Sequence, residues 1–84
     1  MDISREAQRV LHALAQGGCI HALKSETGKI TGIELYSRDG WLMPCNLGMF
    51  KKLKSKKAIA SIDSRPYRIT RRGLELVRAE VDNR

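Results

Sequence analysis

Nine basic side chains fall between positions 51 and 72 of this 84-residue chain: Lys51, Lys52, Lys54, Lys56, Lys57, Arg65, Arg68, Arg71 and Arg72. Asp63 is the one acid among them, so the stretch holds a surplus of nine minus one, or +8, while the whole chain carries a formal +7. The remaining residues are therefore close to neutral, and the charge is gathered in one region. Phe50, Leu53, Ile59, Ile62 and Ile69 thread through it, a mixture that belongs to a folded basic surface and not to a solvated tail. Such a surface attracts anions, either the phosphates of a nucleic acid or an acidic patch on a protein. Lysine acts there mainly as a point charge, and few side chains in the stretch suit base edges. DNA binding from it would be weakly sequence-specific. The plainer alternative is a helix face that only solubilises the chain. Four or five lysines on one short helix, with four arginines downstream, exceed that need.

Other reactive side chains are sparse. Cys19 and Cys45 stand 26 positions apart, and with His12 and His21 they would make four zinc donors. Neither cysteine has a second one two to four residues away, the spacing of a ligand pair. Two cysteines are also few for a disulfide framework, so reduced structural thiols and no metal are expected. His12 lies beside an apolar stripe and reads as a packing or solvated residue. The acids Glu26, Glu34, Asp39, Asp63, Glu75, Glu80 and Asp82 are scattered among polar neighbours. No nucleophile elbow, phosphate-cradling loop, HExxH or apolar carboxylate pair is present, and Ser-Glu-Thr-Gly-Lys at 25–29 is too short for a P-loop. A chain this small has little room for a deep pocket. The expected protein is not an enzyme and uses no cofactor.

The elements that must position the basic stretch follow from periodicity. Ser4 caps a first helix with Glu6 in its opening turn. Ala7, Val10, Leu11 and Leu14 form its apolar stripe, and Gly17-Gly18 ends it. Cys19 to Lys24 and Ile30 to Tyr36 read as an antiparallel hairpin about the 25–29 turn. The turn Ser37-Arg38-Asp39-Gly40 leads to a short strand Trp41-Leu42-Met43 stopped by Pro44. Trp41, the single tryptophan, is expected to pack over the edge of the core. Asn46 caps a second helix running to Lys57, with Leu47, Phe50 and Leu53 inward and the lysines outward. Ala58 to Asp63 is a strand, 63–66 a turn, and Tyr67-Arg68-Ile69 the returning strand. Thr70 caps a last helix whose buried face is Leu74, Val77 and Val81. The expected core is Val10, Leu11, Leu14, Ile33, Leu35, Leu47, Phe50, Leu53, Ile59, Ile69, Leu74 and Val77.

The expected fold class is α+β, in the order helix, strand hairpin, helix, strand hairpin, helix, as one winged-helix-like domain over residues 1–84. The run Ile59 to Gly73, ending Tyr67-Arg68-Ile69-Thr70-x-x-Gly73, is similar to the wing and final-helix entry of winged-helix domains. Those domains usually place an additional helix before the recognition helix. Here 19–43 reads as extended, so the expectation is a variant with a strand insertion, the helix from Asn46 to Lys57 being the recognition helix and the Arg65 turn the wing. With 42% hydrophobic and 30% charged residues the composition is globular, and a pI near 9.9 is high enough to point to nucleic acid. No apolar run approaches the ~20 residues of a membrane span. The start Met-Asp-Ile-Ser-Arg lacks the features of a signal peptide. Cytoplasmic location, with no membrane partner, is expected.

Taken together, several motifs carry a family likeness. They are Ser4-Arg5, Gln8-Arg9, Leu11-His12, Leu14-Ala15-x-Gly17-Gly18 and Tyr36-Ser37-Arg38-x-Gly40. The likeness continues through Phe50-Lys51-Lys52-Leu53-Lys54-Ser55-Lys56-Lys57, Pro66-Tyr67-Arg68-Ile69, Gly73-Leu74, Val77-Arg78-Ala79 and Asp82-Asn83-Arg84. Over nearly its full length the chain resembles the YjhX family of small bacterial proteins. The resemblance implies a non-enzymatic toxin of a toxin–antitoxin pair. It further implies binding and inhibition of DNA topoisomerase I, with neutralisation by an acetyltransferase-like antitoxin. It supplies no residue-level motif, so the nine basic residues stand as the site on charge and exposure alone. A winged-helix transcriptional regulator that contacts DNA directly is the alternative.

Overall fold

A computed structural model describes residues 4–81, with side chains through 77. Helix α1 (Arg5–Ala15) starts where the Ser4 hydroxyl accepts the Ala7 N–H at 3.1 Å. It ends where Gly17 adopts φ 112°, a left-handed turn that glycine takes without steric cost. Ala7, Val10, Leu11, Ala13 and Leu14 are buried along one side.

Strand β1 (Cys19–Lys24) pairs antiparallel with β2 (Ile30–Tyr36), which pairs with the short β3 (Leu42–Met43). A second hairpin joins β4 (Ile59–Ala60) to β5 (Arg68–Ile69). Near its tip, Asp63 and Ser64 have φ 54° and 62°, and the Arg65 N–H donates to the Ile62 carbonyl at 3.1 Å. Two consecutive positive φ angles closed by that bond make a type I′ turn, whose twist suits a tight hairpin. The two sheets meet at one bridge. Ile20 N–H donates to the Tyr67 carbonyl at 2.9 Å, and Tyr67 N–H to the Ile20 carbonyl at 2.7 Å. The strand order across both sheets is thus β3-β2-β1-β5-β4.

Side chains alternate across a pleated sheet, and here the alternation separates core from solvent. Ile20 and Leu35, partners across β1 and β2, are buried with Phe50 and Leu53 of α2 (Leu47–Ser55) and with Ala58 and Ile59. Leu76 and Val77 of α3 (Arg71–Val81) close the same cluster. Cys19, His21 and Leu23 on β1, with Glu34 and Tyr36 on β2, belong to the opposite face. Thr70 joins α2 and α3 by two bonds. Its hydroxyl accepts the Gly73 N–H at 3.1 Å and donates to the Lys57 carbonyl at 2.7 Å. A Cβ on Gly73 would fall 2.4 Å from the Ala58 carbonyl oxygen, so only glycine permits that approach.

The α+β class and the element order agree with the sequence reading, while several details are corrected. Trp41 is 73% exposed instead of packed. The turn closes through Ser37 N–H to the Trp41 carbonyl and Trp41 N–H to the Ser37 hydroxyl, so β3 begins one residue later and Met43 takes the inward place beside Leu35. The strand expected over Ala58 to Asp63 is Ile59–Ala60 alone, and Ile62 is 72% exposed beside the turn. Among the described side chains of α3 the buried positions are Gly73, Leu76 and Val77, and Leu74 is exposed. The close approach of Gly73 to Ala58 sets the helix rotation, and a glycine gives no apolar signal. Ile33, Leu47 and Ile69 are partly buried against the core. The Val81 side chain lies outside the described residues.

Helix α2 stops at Ser55 instead of Lys57 because its end is a Schellman motif. The Lys57 N–H donates to the Lys54 carbonyl and the Ala58 N–H to the Leu53 carbonyl, both at 3.0 Å, with Lys57 at φ 60°. Lysine thus occupies the left-handed position that glycine usually fills.

Candidate functional site

The basic face is built on α2. Asn46 accepts the Met49 N–H on its side-chain oxygen at 2.7 Å, fixing the first turn. Phe50 and Leu53 then point into the core, which leaves Lys51, Lys52 and Lys54 exposed. Phe50 meets Tyr67 edge-on, ring centroids 4.8 Å apart, and the Lys54 Nζ stands 5.7 Å from the centre of the Tyr67 ring. Tyr67 therefore couples α2 to the second hairpin through an aromatic pair and a cation–π contact. Arg65 is exposed at the turn and lines a shallow recess with His21, Lys24, Ser64, Pro66 and Tyr67. None of Lys51, Lys52, Lys54, Lys57 and Arg65 forms an ion pair with an acid among the described residues.

The other expected site residues divide. Lys56 is half-buried, and Lys57 is exposed beside the Thr70 bond that brings the start of α3 near. Arg71 and Arg72 are exposed in the first turn of α3. Arg72 sits 3.9 Å from Glu75, an exposed pair of little energetic weight. Arg68 lies elsewhere. Tyr67 faces α2, so its neighbour Arg68 faces the other side of the sheet, where its guanidinium donates to the Gly17 carbonyl at 3.3 Å. The nine residues thus form one face on α2 and the Arg65 turn, a flank at the start of α3, and a single arginine on the far side.

Two titratable groups are perturbed away from this face. Burial pushes the Cys45 thiol above its ordinary 9.0. Tyr36 is raised above 10.0, first by burial and then by the Glu34 carboxylate, to which its hydroxyl donates at 3.2 Å. Both cysteines are free thiols. No group of three or more His, Cys, Asp or Glu among the described residues is placed to hold a metal. No described helix is long and apolar enough to cross a membrane.

A family profile described as "Putative toxin of bacterial toxin-antitoxin pair", the YjhX toxin family, matches residues 1–84. The chain belongs to this family. Its relatives include UPF0386 proteins from Chelativorans sp. (strain BNC1), 59% identical, and from Agrobacterium fabrum, 60% identical, each aligned over 100% of both chains. Another, from Hyphomonas neptunium, is 55% identical over 99% of both. No solved structure matches the chain at a significant level.

For a YjhX-family protein, the arrangement offers an exposed basic face on α2 and the Arg65 turn. One contributor escaped the sequence reading. Tyr67 looked like an ordinary strand residue, although its inward register between Pro66 and Arg68 was available as a signal.

Proposed function

We propose that this toxin acts by binding and not by catalysis, and that its target is DNA topoisomerase I or that enzyme's complex with DNA. The observation that carries the reading is the α2 face. Lys51, Lys52 and Lys54 stand exposed without acidic partners among the described residues, continued through Tyr67 to the Arg65 turn. A rigid basic surface of this kind steers toward an anionic surface and docks on it without reacting. The identity of the target comes from the resemblance to YjhX toxins, as does that of an acetyltransferase-like antitoxin. A cytoplasmic site of action accompanies that target.

A second reading has its own support. The β4–β5 hairpin lies beside β1 and follows α2 directly, as a wing follows a recognition helix, with the β2–β3 segment standing where a further helix would be. In a winged-helix-like frame α2 would meet duplex phosphates, with weak sequence preference.

One experiment separates the two. The protein, and its Lys51→Glu/Lys54→Glu variant, are used to capture topoisomerase I from lysate with and without nuclease. Capture that survives nuclease and is lost in the variant supports the proposal. Loss of all capture after nuclease favours direct DNA binding. Equal capture by the variant refutes a role for the basic face.

A further inference from the structure

Helices cover one side of the β3-β2-β1 sheet, and the other is bare among the described residues. Its row at the α1 end runs Leu42, Tyr36, Cys19, in register across three strands, with Arg68 next in line on β5. The adjoining row holds His21 and Glu34, and Leu23 lies beyond them. Leu42 is 63% and Leu23 45% exposed, and Trp41 stands exposed at the rim. His21 and Tyr36 pack edge to face, centroids 5.3 Å apart, which stiffens the middle.

Two arginines border this surface at the end of α1. Arg68 donates to the Gly17 carbonyl, and the aliphatic stem of Arg38 lies where a Gly17 side chain would be, 3.3 Å from that Cβ position. Together with Cys19, His21, Glu34 and Tyr36 they line one open recess. Glu34 is engaged by the Tyr36 hydroxyl, and neither arginine forms an ion pair among the described residues. The Arg68 guanidinium is held by its bond and the Arg38 stem by its place against Gly17, and guanidinium groups suit carboxylates, which accept planar, paired hydrogen bonds.

The geometry points to this bare sheet face as the docking surface for the antitoxin, through an acidic segment. Its carboxylates would engage Arg38 and Arg68, and its apolar side chains would cover Leu42 and Tyr36. The inference rests on the family assignment as a toxin with a paired partner, and it separates that partner's surface from the basic face on α2. Charge complementarity selects the occupant. The overall +7 of the chain opposes association with a second copy and favours an acidic partner. Exposed apolar side chains, Leu42 and Trp41, beside a pair of arginines match the mixed apolar and polar anatomy of a protein interface.

The test is isothermal titration of the separately purified antitoxin of the same pair into three folded variants. Circular dichroism confirms the fold of each. Leu42→Asp, on an exposed residue, and Arg38→Glu/Arg68→Glu are each expected to weaken antitoxin binding by about tenfold or more. Lys51→Glu/Lys54→Glu is expected to bind it as the parent does. The assay contains no topoisomerase, so a wrong target for α2 leaves its result unaltered. Three outcomes overturn the inference: parent-like binding by both sheet-face variants, loss of antitoxin binding on reversal of the α2 lysines, or no binding by the parent. Dimerisation abolished by Leu42→Asp, or competition by duplex DNA at this face, would assign it to another occupant.

Discussion

Truncating Phe50 to alanine tests the link between the core and the basic face. Phe50 is 1% exposed, buried with Leu53, Ile20 and Leu35. Removing the ring from a packed core costs about 3–5 kcal/mol, the lost transfer energy plus the cavity left behind. The edge-to-face pair with Tyr67 supplies roughly 0.5–1.5 kcal/mol of such an effect. A domain of this length is stable by on the order of 4–13 kcal/mol in total, so the variant gives up from about a quarter to all of its stability. The melting temperature should fall by roughly 12–40 °C, taking about 4–8 °C per kcal/mol for a small domain. Far-UV circular dichroism is the suitable probe, because Trp41, at 73% exposure, reports poorly on core packing. Tyr67 also carries the bridge between the two sheets. Surviving Phe50→Ala protein should therefore exchange the Tyr67 and Ile20 amide hydrogens faster than the parent does. A melting temperature lowered by less than about 4 °C, equivalent to under 1 kcal/mol, would refute Phe50 as the centre of the core.

Thr70→Ala removes both the α3 cap and the bond to the Lys57 carbonyl and should destabilise by about 1–3 kcal/mol, read from urea midpoints. Lys57→Gly relieves a left-handed lysine and should stabilise by up to about 1 kcal/mol in the same assay, since the strain released is partly offset by a freer unfolded chain. Cys45 and Tyr36 both have folded pKa values raised above 9.0 and 10.0, so the folded state holds their protons more tightly. Their contribution to stability is complete below the ordinary values and is lost as pH rises through the raised ones. Melting temperatures should accordingly decline above about pH 9, and Cys45→Ala should soften the first part of that decline. On duplex DNA, Lys51→Glu/Lys54→Glu should flatten the dependence of log affinity on log salt by about 0.9 for each phosphate that the variant no longer neutralises. An unchanged salt slope would mean that the α2 lysines do not meet the phosphates.

The local elements were legible in the sequence because each is written by its own neighbours. Ser4, Asn46 and Thr70 begin the helices as caps, Gly17 ends the first, and the strand hairpin over 19–36 follows its turn chemistry. The exposure of the α2 lysines was equally readable, since Phe50 and Leu53 at helical spacing commit the opposite side to the core. Charge density alone marked the stretch from 51 to 72. Tertiary structure decided what those residues share. Arg68 follows Tyr67 by one position yet lies on the far side of the sheet, because the Ile20–Tyr67 bridge fixes which way the pleat turns. Leu74 gave way to Leu76 because Gly73 must meet the Ala58 carbonyl, an approach between positions 15 apart in the chain. Trp41 was left in solvent because Met43 reached the place beside Leu35. Hydrophobicity ranks the candidates for a core, but register and close backbone approach choose among them, and both are set by residues distant in sequence.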